Sequence, residues 1–217
     1  MLKLRAAKDE IARSAPLPGF EAIHCVWDSA NACWTARILP GELYITRTAE
    51  AITTVLGSCI SACIRDPALG VGGMNHFMLP EDTTQGKSAW LDQAAGLSTR
   101  YGSFAMESLI NGLLKLGSRR ERLEVKLFGG GHVLKAAINV GERNIDFAHD
   151  WLKAEGLPIV AEDTGDVVPR RIVYMPQSGK VRVKHLRQVD NEDIAQREQQ
   201  YLKTVTRKPI VSDIELF

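Results

Sequence analysis

The sequence predicts an α+β protein built around a mixed β-sheet. Short apolar, β-branched runs bounded by Gly, Pro and Asp fill the first half, which is the chemistry of strands and turns. The second half interleaves such runs with stretches of helical period. Size and balance fit a single core: 217 residues, 45% hydrophobic and 24% charged, can bury a sizeable interior without staples.

Residues 1–19 are polar and charged and close on Pro16-Leu-Pro18-Gly19, a tail or loose helix followed by a linker. From Phe20 to Leu39 no clear period emerges, although Trp27 and Trp34 are available for packing. Pro40-Gly41 marks a turn, and Glu42-Leu-Tyr-Ile-Thr46 alternates as a strand does. Ile52 to Leu56 is a second β-branched run and stops at the turn pair Gly57-Ser58. Ile60-Ser-Ala-Cys-Ile64 fits either a buried strand or the first turns of a helix, since periodicity does not separate them. Asp66-Pro67 and Gly70 turn the chain into a strand from Val71 to Leu79, closed by Pro80.

A polar loop follows from Glu81 to Gln93, and Ser98 or Thr99 is placed to cap the next helix. Met106, Leu109, Ile110, Leu113 and Leu114 form one helical face, with Gly117 as the stop. Glu124-Val-Lys-Leu-Phe128 is a strand that runs into Gly129-Gly130-Gly131. A second helix is expected over 142–155, with Ile145, Ala148 and Leu152 on its apolar face and Gly156 at its end. Pro158-Ile-Val-Ala reads as a short strand. The runs Arg171-Ile-Val-Tyr-Met and Lys180-Val-Arg-Val-Lys flank Pro176-Gln-Ser-Gly179 as a hairpin. After Asp190 the chain turns polar, giving a solvated helix and a tail over 189–217.

A net charge of +1 provides no basic field for nucleic acid or an anionic membrane. No signal segment or membrane-length apolar run is seen, so a cytoplasmic protein is expected. Its four cysteines, Cys25, Cys33, Cys59 and Cys63, are then read as reduced thiols.

Cys59 and His76 carry the chemistry. A thiol just past a Gly57-Ser58 turn, with one histidine a strand and a turn later, is what a cysteine hydrolase needs. A free thiol has a pKa of about 8.5, and an imidazole beside it raises the thiolate fraction by taking its proton. The thiolate attacks a carbonyl carbon, and the imidazolium returns the proton to the leaving group. Backbone N–H groups around Ser58 and Cys59 are the expected oxyanion donors, with Gly57 allowing close approach. Thr53 offers a hydroxyl to orient the imidazole. His132 and His149 are spare candidates for the base. A metal site from Cys59, Cys63 and His76 lacks an evident fourth ligand, so neither metal nor cofactor is expected. Gly129-Gly130-Gly131 has no following Gly-Lys-Ser/Thr and reads as a tight turn beside the site, not a phosphate loop.

Cys59 lies six positions after Thr53 and seventeen before His76, with Leu-Gly-Ser-Cys and Gly-Gly-Met-Asn-His-Phe-Met-Leu-Pro as flanks. In this the chain resembles the CheD family of chemoreceptor glutamine deamidases. The resemblance extends through Arg100-Tyr101, Lys126-Leu-Phe-Gly-Gly130, Gly141-Glu-Arg-Asn144 and Asp163-Thr-Gly165. It implies a deamidase domain over 20–188, with mixed sheets in the core, helices packed outside, and a fold like that of bacterial toxin deamidases. It implies conversion of receptor glutamines to glutamates, with Cys59 as nucleophile, His76 as base and acid, and Thr53 as orienter. Gly72, Gly73, Phe128, Gly129 and Gly130 would support the substrate site. The implied partners are the cytoplasmic helices of methyl-accepting chemoreceptors and a CheC-type phosphatase. One departure is Asp166, which stands where the family pattern has glycine. Two alternatives stay open: a non-catalytic adaptor, and another Cys-His acyl-transfer enzyme such as a transglutaminase or thiol protease.

Overall fold

The computed structural model describes residues 13–79, 91–134, 139–186 and 191–207, without the side chains of 91–100, 191, 192 and 207. Most of the expected N-terminal tail, most of the polar loop after Pro80 and the chain end lie outside it.

Ten strands and three α-helices are described: β1 (His24–Asp28), β2 (Cys33–Arg37), β3 (Leu43–Thr46), β4 (Ala51–Leu56), β5 (Ile60–Asp66), β6 (Val71–Asn75), α1 (Leu91–Lys115), β7 (Glu124–Gly129), α2 (Val140–Ala154), β8 (Ile159–Thr164), β9 (Arg170–Met175), β10 (Lys180–His185) and α3 (Asn191–Arg207). They build two five-stranded sheets, in the orders β1-β2-β4-β9-β10 and β3-β6-β5-β7-β8. Each sheet is mixed, because β2 pairs with β4 in parallel in the first and β7 with β8 in the second. The α+β expectation holds.

Side-chain alternation sorts the layers. On β5, Ile60, Ala62 and Ile64 face α1 and α2 and join Leu109, Leu113, Ala148 and Leu152 in one apolar cluster. Cys63, and Cys59 just before the strand, face the first sheet, where they meet Ile52, Leu56, Ile172 and Tyr174. The second sheet is therefore covered on both faces, which explains why β5 reads as a continuous apolar run without alternation.

Three sequence expectations change. The helix expected to start at Ser98 or Thr99 begins at Leu91; both residues are tolerated in a helix interior, so neither marks a first turn by itself. The segment without clear period contains the β1–β2 hairpin, in which Trp27 stands opposite Trp34 with ring centroids 5.9 Å apart. Asp28 closes its turn by accepting hydrogen bonds from the N–H groups of Ala30 (2.9 Å) and Asn31 (3.2 Å). The polar C-terminal helix is also not solvated all round. Glu198 and Leu202 are buried on one face, with Ile194, Ala195, Tyr201 and Val205 half-buried beside them.

Candidate functional site

Cys59 follows β4 at the turn into β5, and His76 follows β6. Both strands deliver them to the seam between the sheets: Ile52, Thr54 and Leu56 face that seam from β4, and Met74 and His76 from β6 and its end. Cys59 is 0% and His76 2% exposed. One atom each from the Cys59 thiol, the His76 ring and the Glu198 carboxylate lie within 4.8 Å of one another.

The structure replaces Thr53 by Thr54 as the residue on the imidazole. Thr54 Oγ1 lies 2.8 Å from His76 Nδ1 and donates its own proton to the Ile38 carbonyl at 2.8 Å. With that proton committed, Thr54 can only accept from the ring, so Nδ1 carries the hydrogen and Nε2 holds the lone pair. Nε2 is buried with no hydrogen-bond partner among the described residues. Thr53, one residue earlier, points the other way and donates to the Ile172 carbonyl at 2.7 Å.

The turn at 57–59 is fixed at every main-chain group. The carbonyls of Gly57 and Cys59 accept from the N–H groups of Gly131 and Gly130, each at 2.7 Å. The Ser58 carbonyl accepts from Asn144 Nδ2 at 2.7 Å, and Asn144 Oδ1 accepts from Leu79 N–H at 2.9 Å. With the carbonyls held outward, three consecutive N–H groups converge on one spot. Glu198 fills it: Oε1 accepts from Gly57 (2.8 Å) and Cys59 (3.2 Å), and Oε2 from Ser58 (2.7 Å). Three N–H dipoles pointing inward make an anion pocket. The carboxylate oxygens that a metal ion would need already serve those donors.

Glycine is required around this turn by contact. A Cβ on Gly129 would overlap the Cys59 carbonyl oxygen, and one on Gly130 would overlap Ile145 Cγ1. Phe128 is buried beside Cys59 in the cluster between the sheets. Gly72 and Gly73 do not reach the site. A Cβ there would strike the Ile64 carbonyl oxygen at 2.8 Å and the Tyr44 carbonyl oxygen at 2.6 Å respectively, so they serve the packing of β6 between β5 and β3. His132 and His149 are also elsewhere: His132 is exposed, and the half-buried His149 pairs its Nε2 with Glu162 at 2.8 Å.

Asp166 is in the left-handed region (φ 67°), and its carbonyl accepts from His132 N–H at 2.7 Å. The neighbouring Gly165 N–H donates to the Gly129 carbonyl at 2.9 Å, so the 165–166 turn braces the loop that clamps Cys59. The Asp166 side chain faces solvent, and the position asks for a backbone shape more than for a charge.

Burial pushes the Cys59 thiol well above its ordinary range, and the Glu198 carboxylate beside it adds to the effect. Burial pulls the His76 imidazole down to about 3. The pair is therefore neutral in this arrangement, thiol beside imidazole. Three residues here escape the sequence reading or enter it without a role: Thr54, Asn144 and Glu198. For Glu198 a signal does exist, in the 194, 195, 198, 201, 202 spacing of one helical face.

A family model described as CheD chemotactic sensory transduction matches residues 78–185. A probable chemoreceptor glutamine deamidase CheD of Hydrogenovibrio crunogenus is 52% identical over 190 residues, 88% of this chain and 97% of that protein. The protein of the same description from Halorhodospira halophila is 48% identical over 201 residues, 93% of each chain. That of Herminiimonas arsenicoxydans is 54% identical over 184 residues, 84% of this chain and 88% of that one. Among solved structures, a Neisseria meningitidis protein described as family-model DUF152 is 12% identical, with a TM-score of 0.39 over 58% of this chain and 54% of that one.

Proposed function

The chain belongs to the CheD family, and from that premise we propose that it hydrolyses the side-chain amide of selected glutamines on the cytoplasmic helices of chemoreceptors. The products are glutamate and ammonia, and the work is done in the cytoplasm. Among the described residues no helix is long and apolar enough to cross a membrane.

His76 Nε2 takes the Cys59 proton, helped by Thr54, which holds the other ring nitrogen in its protonated form. The sulfur attacks the carboxamide carbon, and the C=O π electrons move onto oxygen. The N–H groups of Gly57, Ser58 and Cys59 receive that oxyanion. His76 then protonates the nitrogen, ammonia leaves, and a thioester remains. Water, deprotonated by the same nitrogen, cleaves the C–S bond and returns the thiol. Losing one of the three donors would raise the barrier by roughly 3–4 kcal/mol.

A single observation supports this reading most strongly. Three main-chain donors converge on a carboxylate within 4.8 Å of both the thiol and the imidazole, the placement an amide-derived oxyanion requires. The test is mass spectrometry of a receptor cytoplasmic fragment incubated with the wild-type chain and with Cys59→Ala. Conversion of particular glutamines to glutamates by the wild type alone is expected. Conversion by Cys59→Ala, or an amine adduct in place of acid when a primary amine is added, would overturn it.

A further inference from the structure

The buried carboxylate of Glu198 is not explained by the chemistry above. It occupies the donors that the oxyanion needs, so it competes with catalysis and cannot assist it from this position. A carboxylate that is 3% exposed on an otherwise polar helix calls for a reason, because removing such a charge from water is costly unless it is well bonded.

We propose that α3 is a tethered product analogue, lying where a substrate helix lies after its glutamine has become glutamate. This rests on the deamidase reading and deepens it, by naming how the substrate is presented. A glutamate γ-carboxylate is the chemical product of glutamine deamidation, and here both its oxygens sit on the turn donors beside Cys59. It arrives on a helix. Positions i, i+3 and i+4 of that helix face the body: Glu198, Tyr201 and Leu202.

The body is shaped to receive them. A Cβ on Gly57 would lie 2.7 Å from Glu198 Oε2, and one on Gly41 would lie 2.8 Å from the Tyr201 hydroxyl. The Tyr201 hydroxyl bonds that of Tyr101 on α1. Leu202 is 5% exposed and joins the cluster that contains Cys59. The docking groove thus has a polar end for the scissile side chain, the Tyr101 hydroxyl one turn on, and an apolar seat beside it. With α3 in place Cys59 is 0% exposed, so α3 must leave before any other helix can react.

Glu198→Gln turns the analogue into a substrate. The Cys59 sulfur would bond the carbon of the introduced amide as ammonia departs, and water would then replace sulfur to restore Glu198 and the free thiol. The full-length variant is purified, cleaved before Asp193 and sequenced by fragmentation mass spectrometry. The expected result is acid at position 198, amide retained at the exposed neighbours Gln199 and Gln200, and amide at all three when Cys59→Ala is added. The same preparation is assayed on a receptor cytoplasmic fragment. If the introduced amide persists while the fragment is deamidated, the docking proposal is overturned and the enzyme reading stands. If neither is converted, both fall. A second arm follows alkylation of Cys59 by iodoacetamide. Glu198→Ala should speed it roughly tenfold or more, as the loss of charge-assisted bonds favours the undocked helix. An unchanged rate would also overturn the proposal.

Discussion

On a strand, adjacent side chains point to opposite faces, and this decides which of two threonines serves the histidine. Ile52, Thr54 and Leu56 look into the seam between the sheets, whereas Thr53 looks out and bonds the Ile172 carbonyl. Thr54→Val should therefore lower kcat, because it leaves a buried Nδ1–H without an acceptor. A loss of about 1–3 kcal/mol corresponds to roughly fivefold to 150-fold in rate. Thr53→Val should leave kcat within about twofold, as expected of a site outside the reacting set. Steady-state deamidation of a receptor fragment by the two variants checks both, and equal losses would mean the assignment of roles is wrong. Cys59 and His76 are legible in the sequence because glycine turns and spacing single them out. Thr54 is not, because a family pattern fixes a neighbourhood while strand parity fixes a side chain.

Elements read well where their surroundings are one-sided. The α1 face from Met106 to Leu113, the β9–β10 hairpin and the α2 stripe all have a wet and a dry side, and their periods show in the residues. β5 is ambiguous because both its faces are dry. α3 is legible only in part: the 194, 195, 198, 201, 202 spacing marks its buried face, but a glutamate in that face looks solvated until the donors that hold it are known. Cross-element bonds of this kind leave no local pattern, and Asn144 is another instance. From α2 it donates to the Ser58 carbonyl and accepts from Leu79 N–H, tying the nucleophile turn to the chain just beyond His76. Asn144→Ala should destabilise the chain by about 2–4 kcal/mol, since two buried main-chain groups lose their partner. Asn144→Asp keeps the shape and loses the donor, so it should not restore stability. Urea unfolding of the three proteins measures this, and a wild-type midpoint for either variant would contradict it.

At the scale of the whole molecule, buried titratable groups set the response to acid. His76 is held down to about 3 by burial, against an unfolded value near 6.5. Between those values the unfolded chain binds a proton that the folded chain refuses, so stability falls as pH drops through that window. Asp66 adds to the trend lower down. Burial alone would raise its carboxyl, but the Arg122 guanidinium, 2.6 Å away, and two main-chain N–H groups hold it below its ordinary value. Its contribution is full above the unfolded carboxylate value and is lost as pH falls below it. The melting temperature should thus decline steadily from about pH 6.5 downward. His76→Gln should flatten the upper part of that decline and leave the lower part. An unchanged upper slope would mean that His76 is protonated in the folded chain.

The turn that carries the nucleophile has every carbonyl tied to its own scaffold and every amide proton lent to the last helix. Those three protons are consequently a built-in gauge of occupancy. Solvent deuterium can reach them only while the helix is away, so their exchange rates would time each excursion with no label attached to the protein and no substrate added.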